Sequence, residues 1–341
     1  MYEHRAMTAG DRVPNITLAD QRGKPFSFYR EVQGGGIAIF VVSRADRYCA
    51  KLLQVLKEKT DAFGSCGAHM FAICDDSKDT KAETVSDLPF PLLSDGKGNV
   101  VDYLTKSART SSPAVFILDS NQRILSVEAA SDGDPSSLVE QALSELKKLL
   151  PTTDPEIFSA AVPALIVPNL IDRDLCKRLM KQWETHGNFE GKVGADENAH
   201  IDPTMKRRRD HLIEDPLLIS ELSSLLMPRV GHEVFKCFYF DDWRFEVFRV
   251  GCYDASDAGF FRVHRDTSET DNTSRRFALS LNLNAEDYEG GTLRFPEYSH
   301  NQFHPPTGAG VIFPCTALHE VLPVTKGRRF VLLTFLKAAK G

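Results

Sequence analysis

Along residues 1–150 the hydrophobic positions switch between two periods. Residues 36–42 form an almost unbroken apolar run, the pattern of a strand covered on both faces. Over residues 50–63, Leu52, Leu53 and Leu56 fall at helical spacing. Residues 69–74 and 114–119 are further short apolar runs. Ser120, Asn121 and Gln122 supply turn chemistry ahead of a strand at 123–127, and residues 136–150 repeat as an amphipathic helix. Strands alternating with helices predict an α/β domain over residues 1–150.

A proline-rich change of composition, with Pro151, Pro155 and Pro163, marks a linker at 151–162, because proline cannot extend the preceding helix. Beyond it, residues 164–170 read as a strand, and Asp172 caps a helix reaching about Thr185. Residues 187–203 are polar and read as a loop; residues 216–230 read as a second helix. The pattern then becomes two-residue alternation. Over 244–253, Phe245, Val247, Arg249, Gly251 and Tyr253 share one side. Over 276–284, Phe277, Leu279, Leu281 and Leu283 share an apolar face, opposite Ala278, Ser280, Asn282 and Asn284. An apolar run at 313–321 contains His319, and residues 323–333 read as a turn and a strand. This half, 163–341, is expected to be a mainly-β jelly roll (double-stranded β-helix) with helices buttressing one sheet.

Composition sets outer bounds. At 341 residues, 42% hydrophobic and 26% charged, the chain has ordinary globular composition and room for two cores. A net charge of -6 gives no reason to expect nucleic acid; the basic runs at 206–209 and at Arg275-Arg276 read as solvated faces or anion sites. No basic-then-apolar signal pattern opens the sequence and no apolar run approaches 18 residues, so a cytoplasmic protein with no membrane partner is expected. Seven widely spaced cysteines without a CxxC argue against a disulfide framework or a zinc site.

The candidate chemistry centres on His264 and Asp266. Two apart on a strand, they would project from one face, and His319 could complete a set of two imidazoles and one carboxylate. Three protein ligands with three positions open suit non-haem Fe(II) used for oxygen chemistry. Arg328 and Arg329 precede an apolar strand, and neighbours on a strand point oppositely, so only one can face inward.

With His264 and Asp266 as HxD, Gly290-Gly291-Thr292-Leu293-Arg294-Phe295 as a GGxLxF strand, the distal His319 and Arg329 ten positions later, residues 163–337 resemble the prolyl 4-hydroxylase branch of the Fe(II)/2-oxoglutarate dioxygenases. That resemblance implies His264, Asp266 and His319 as metal ligands and Arg329 as the partner of the 2-oxoglutarate C5 carboxylate, with Arg328 as the alternative. Tyr253 matches a tyrosine that hydrogen-bonds the co-substrate. Asn282, on the polar face of its strand, is a further candidate contact. The implied reaction consumes O2, decarboxylates 2-oxoglutarate to succinate and hydroxylates a C–H bond of a peptidyl, proline-like residue or a small amino-acid-like metabolite, with ascorbate as an accessory. The 267–275 loop would be a lid.

A second resemblance covers the first domain. Residues 10–18, Gly23-Lys24-Pro25, the 37–42 strand and Ser112-Pro113 before the 114–119 strand are similar to the peroxiredoxin form of the thioredoxin fold. It implies a cis bond at Pro113 and a redox position at Cys49, where a helix N-terminus favours a thiolate. Val42 and Asp46 stand where that family has proline and threonine or serine, and its arginine is displaced, with Arg109 the nearest candidate. Cys66 and Cys74 are the possible resolving thiols. Three readings stay open: the oxygenase, a thiol peroxidase using Cys49 with an accessory C-terminal domain, and a non-catalytic binding protein. A homodimer is also open.

Overall fold

The computed structural model describes the chain except residues 1–4, 33, 43–47, 76–86, 131–133, 152–153, 155–160, 194–198, 268–273 and 340–341. Asp46, most of the 151–162 linker and most of the 267–275 loop therefore lie outside the described residues. The chain divides into two compact units, Met1–Pro155 and Glu156–Gly341.

The first unit is a seven-stranded sheet built from β1 (Thr17–Asp20), β2 (Pro25–Ser27), β3 (Ile37–Val42), β4 (His69–Cys74), β5 (Leu92–Ser94), β6 (Ala114–Leu118) and β7 (Ile124–Ala129). Their spatial order is β2-β1-β5-β4-β3-β6-β7, with β3 parallel to β4 and antiparallel to β6. Among the described residues, α1 (Phe28–Glu31), α2 (Tyr48–Ser65), α3 (Asn99–Ser107) and α4 (Pro135–Lys147) accompany it. Every residue of β3 is buried, because a core lies on each face. Ala38 and Phe40 pack with Leu52 and Leu143 on one side, and Ile37 and Ile39 pack with Val101 and Leu104 on the other. This is the expected thioredoxin-like fold, and the Ser112–Pro113 bond is cis. The last helix stops at Lys147 instead of 150, its end tightening into turns in which the Lys148, Leu149 and Leu150 amides donate to the carbonyls of Glu145, Leu146 and Lys147.

In the second unit the strands are β8 (Leu165–Val167), β9 (Phe189–Glu190), β10 (Lys206–Arg207), β11 (Arg209–Leu212), β12 (Trp243–Phe245), β13 (Arg249–Asp254) and β14 (Phe260–His264). They continue as β15 (Arg275–Asn282), β16 (Tyr288–Gly290), β17 (Leu293–Arg294), β18 (Gln302–Phe303), β19 (Gly310–Pro314), β20 (His319–Val321) and β21 (Val324–Ala338). One sheet runs β8-β19-β15-β21-β13-β11-β9, and the other runs β10-β14-β20-β17-β18. Between them Tyr253, Ala278 and Val331 of the large sheet meet Leu293, Phe295 and Val321 of the small one. Helices α5 (Arg173–Thr185) and α6 (Pro216–Phe238) cover the outer face of the large sheet, where Phe277, Leu279, Leu281 and Leu332 are buried. Two sheets closing on an interior, with helices against one of them, form the jelly-roll arrangement anticipated from the alternation.

Several local expectations change. Asp172 does cap α5, its Oδ1 accepting from the Leu175 amide at 2.7 Å. Helix α6, however, continues past 230 to Phe238 despite Pro228. The buried series Leu218, Leu222, Leu226, Val230 and Val234 carries the helix through, and Pro228 sits on the exposed side, where the carbonyl it frees can reach water. The 187–203 loop contributes the edge strand β9 and a bridge between Val193 and His200. The alternation expected to run unbroken from 244 to 253 slips between β12 and β13. Phe248 is 2% exposed and Val247 41%, so Phe245 shares the helix-covered side with Phe248 and not the interior side with Arg249.

Candidate metal centre

Strand β14 ends at His264, so the HxD pair is not carried on one strand as anticipated. Asp266 follows in a bend, where its amide donates to the Cys315 carbonyl at 2.9 Å. His264 lies opposite His319 in the β14–β20 pairing. From these two strands and one bend, the donor atoms of His264, Asp266 and His319 come within 4.8 Å of one another. Asp266 Oδ1 is 3.6 Å from His264 Nε2, and Oδ2 is 3.5 Å from His319 Nε2.

Both imidazoles are oriented from behind. His264 Nδ1 lies 2.7 Å from the Arg262 carbonyl and His319 Nδ1 lies 3.0 Å from the Ala317 carbonyl, so each Nδ1 carries the proton and each Nε2 lone pair faces the shared centre. Among the described residues the buried His264 Nε2 has no hydrogen-bond partner. The rings are fixed by packing: Phe261 stacks on His264 with centroids 3.5 Å apart, and Phe313 lies 4.6 Å from His319. Arg265, between the two HxD residues, reaches Glu297, which also accepts from the Leu318 amide at 2.9 Å; this ties the two ligand-bearing segments together. Burial holds the His319 pKa below the ordinary histidine value, favouring neutral imidazole. Burial works against the Asp266 carboxylate; its pKa is nonetheless held low, by the positive charge that His319 and His264 carry when protonated and by Arg275. Two imidazole nitrogens and a carboxylate, converging with His264 Nε2 unpartnered among the described residues, form a group able to hold a metal ion.

Strand β21 resolves the arginine pair. Arg328 is exposed and bridges to Glu184, whereas Arg329 is buried opposite Tyr253, its guanidinium 5.3 Å from that ring. Arg329 Nε and Nη2 each donate to Asn282 Oδ1 at 3.4 Å, and among the described residues Nη1 has no hydrogen-bond partner. Asn282 spends its amide group on Tyr288 Oη at 3.0 Å and the Pro305 carbonyl at 2.7 Å. Its side chain therefore faces Arg329 as an acceptor. Gly291, at φ +59°, leaves room for this arrangement: a β-carbon there would sit 3.0 Å from Arg329 Cδ.

The basic run at 206–209 departs from the expected solvated face. Arg207 and Arg209 do point outward, but Lys206 is 6% exposed and Arg208 lies inside. Arg208 donates from Nε and Nη2 to the two oxygens of Asp210, at 2.6 and 2.8 Å, and from Nη1 to Tyr253 Oη at 3.2 Å. The pair holds Asp210 ionised against its burial and the Arg208 pKa above the usual value. A cavity of about 560 Å³ contains the triad and Tyr253 together with Lys206, Arg208, Asp210 and Arg249. Alternation within 206–210 was the available signal for this wall, but which side faced inward depended on how β11 docks against β13.

In the first unit Cys49 opens α2, 5% exposed and packed in the core that contains Leu52, Leu53 and Leu56; Cys66 and Cys74 are buried in that core too. Arg109 is exposed. Among the described residues no helix is long and apolar enough to cross a membrane.

Comparison with known proteins divides the chain the same way. A sequence model of the 2OG-Fe(II) oxygenase superfamily matches residues 248–337, and one of the AhpC/TSA family matches residues 9–127. A PKHD-type hydroxylase of Acinetobacter baumannii is 26% identical over 183 residues, spanning 48% of this chain and 73% of its own. Among solved structures, a viral collagen prolyl hydroxylase from Paramecium Bursaria Chlorella virus-1 is 15% identical with a TM-score of 0.41, covering 52% of this chain and 96% of that one. The peroxidoxin BcpB of Mycobacterium tuberculosis is 22% identical with a TM-score of 0.37, covering 42% of this chain and 99% of that one.

Proposed function

With a 2OG-Fe(II) oxygenase domain in its C-terminal half and an AhpC/TSA thioredoxin-fold domain in its N-terminal half, we propose that the protein is an Fe(II)- and 2-oxoglutarate-dependent hydroxylase. Its substrate is a peptidyl residue or a small amino-acid-like metabolite. The observation that carries this reading is the convergence of His264 Nε2, His319 Nε2 and the Asp266 carboxylate, with His319 buried and the first of these unpartnered among the described residues. These three would hold Fe(II), which when bound supplies O2 activation and coordination of the 2-oxo acid.

The remaining roles belong to the chain. Arg329 binds the C5 carboxylate of 2-oxoglutarate, for which Nη1 is the open donor, and Asn282 positions the guanidinium. Tyr253, held by Arg208, forms the adjoining wall. Phe261, Phe313 and Leu293 exclude water around the ligands.

Two variants test the assignment. His264→Ala is expected to weaken Mn(II) binding at least tenfold by calorimetry and to abolish succinate formation; unchanged metal binding would remove the centre from consideration. Arg329→Ala should raise the 2-oxoglutarate concentration for half-saturation about tenfold or more, since a charge-assisted hydrogen bond contributes roughly 1.5–3 kcal/mol. An unchanged requirement would assign the C5 carboxylate elsewhere.

A second reading, peroxidase chemistry at Cys49, is supported by the AhpC/TSA match and by the place of Cys49 in the first turn of α2. Its burial among leucines favours a packing role. Peroxide consumption that disappears in Cys49→Ser would establish the redox role.

A further inference from the structure

The wall of the cavity formed by β13 and the β10–β11 segment carries more positive charge than it neutralises. Lys206, Arg208 and Arg249 line it with one carboxylate, Asp210, and both oxygens of Asp210 are taken by Arg208. Arg249 approaches Asp210 no closer than 3.9 Å, and among the described residues its guanidinium makes no hydrogen bond; its side chain is 29% exposed, toward the cavity. Among the described residues Lys206 donates only to a backbone oxygen, that of Lys192, at 2.6 Å. Glu246, the other carboxylate on this side, is engaged by both donor arms of Arg275, at 2.6 and 2.8 Å.

Two glycines show that the wall is built around these groups. A β-carbon at Gly251 would lie 2.9 Å from Arg208 Cδ and 3.2 Å from Asp210 Oδ1. At Gly191 it would lie 2.7 Å from Lys206 Cε and 3.0 Å from Asp210 Oδ2. Lys206, Arg208 and Arg249 face one another around Asp210, whose oxygens Arg208 occupies, and are poorly hydrated, so an anion entering the cavity on this wall stabilises the arrangement. Burial and the charge of Arg208 depress both the Lys206 and the Arg249 pKa, the direction expected where cations lack an anionic partner.

We infer that Arg249, with Lys206 beside it, is a specificity-determining site that binds a carboxylate of the primary substrate. This rests on the oxygenase reading and on Arg329 taking the co-substrate. The planar guanidinium fork of Arg249 fits a carboxylate through two parallel hydrogen bonds. Such a group is carried either by a free small acid or by an acidic side chain of a peptide.

The test uses the full chain loaded with Mn(II) and a saturating concentration of 2-oxoglutarate, so that the co-substrate site is filled. Ligand-observed NMR then measures two sets of probes. The first is the free L-amino acids and their carboxamides. The second is capped peptides containing Asp or Glu and their Asn or Gln counterparts. At least one acid is expected to bind tenfold or more tightly than its amide, with the set that responds identifying the source of the carboxylate. Arg249→Gln should remove the preference and Arg249→Lys should restore part of it, which separates recognition from misfolding. Amides binding as well as acids, no binding in either set, or a preference that survives Arg249→Gln would each overturn the inference. Succinate formation by the Fe(II)-loaded wild type, measured alongside, keeps the two readings apart. If succinate forms and the acid preference is absent, the carboxylate site alone fails; if none forms, the oxygenase reading fails.

Discussion

At the scale of single residues, burial decides what a charged side chain does. Arg207 and Lys206 are neighbours in the chain, yet one is exposed and the other lies over the Phe261 ring, 4.9 Å from its centroid, with burial and nearby Arg208 pushing its pKa down to about 7. The sign of the consequence follows from proton counting. Below pH 7 both folded and unfolded chains protonate Lys206, whereas between about 7 and the ordinary lysine range near 10.4 only the unfolded chain does so. The unfolded state then binds more protons, and this group makes stability rise with pH across that window, by at most about 1.4 kcal/mol per pH unit. Urea unfolding at intervals from pH 7 to 10 should show that slope diminished in Lys206→Met. Parallel profiles for wild type and variant would mean that Lys206 keeps its proton when folded.

At the scale of elements, β13 is the member on which the interior depends. Val250 and Cys252 face the helices, while Arg249, Gly251 and Tyr253 face the cavity. Gly251 is the position where the Arg208–Asp210 pair crosses this strand. Replacing Gly251 by Ala should destabilise the C-terminal unit by about 1–3 kcal/mol through overpacking against a buried ion pair, read as a lower urea midpoint at unchanged slope. An unshifted midpoint would show that Arg208 moves aside without cost. The 244–253 segment also shows why strand periodicity can mislead locally. Its residues alternate well enough to read as one strand, but the Glu246 amide pairs with the Phe335 carbonyl and the phase changes before β13 begins. A phase change costs nothing recognisable in composition, since Val247 and Phe248 are both apolar and only partner strands choose between them.

At the scale of the whole molecule, two units with separate cores predict two unfolding events. Calorimetry of the intact chain should resolve two transitions, and only one should respond to Mn(II) with 2-oxoglutarate. At ligand concentrations about a hundredfold above Kd, that transition should gain about 2.7 kcal/mol. A joint shift of both would show that the units unfold as one.

Much of this architecture was written in local pattern. Period-two alternation after Phe277, helical spacing before Phe63 and the Asp172 cap each act within a few residues, so they survive without knowledge of the fold. The spacing of Arg329 from His319 is likewise a property of one segment, and strand alternation alone required that Arg328 and Arg329 diverge. Tertiary structure decided the rest, because each remaining choice depended on a strand distant in sequence. The pairing of β14 with β20 brought His264 opposite His319, and a contact with Cys315 set Asp266 in a bend. The pairing of β10 with β14 and of β11 with β13 turned Lys206 and Arg208 inward and left Arg249 no closer than 3.9 Å to Asp210. A charge has no environment until the chain folds, and its role follows from what is packed around it.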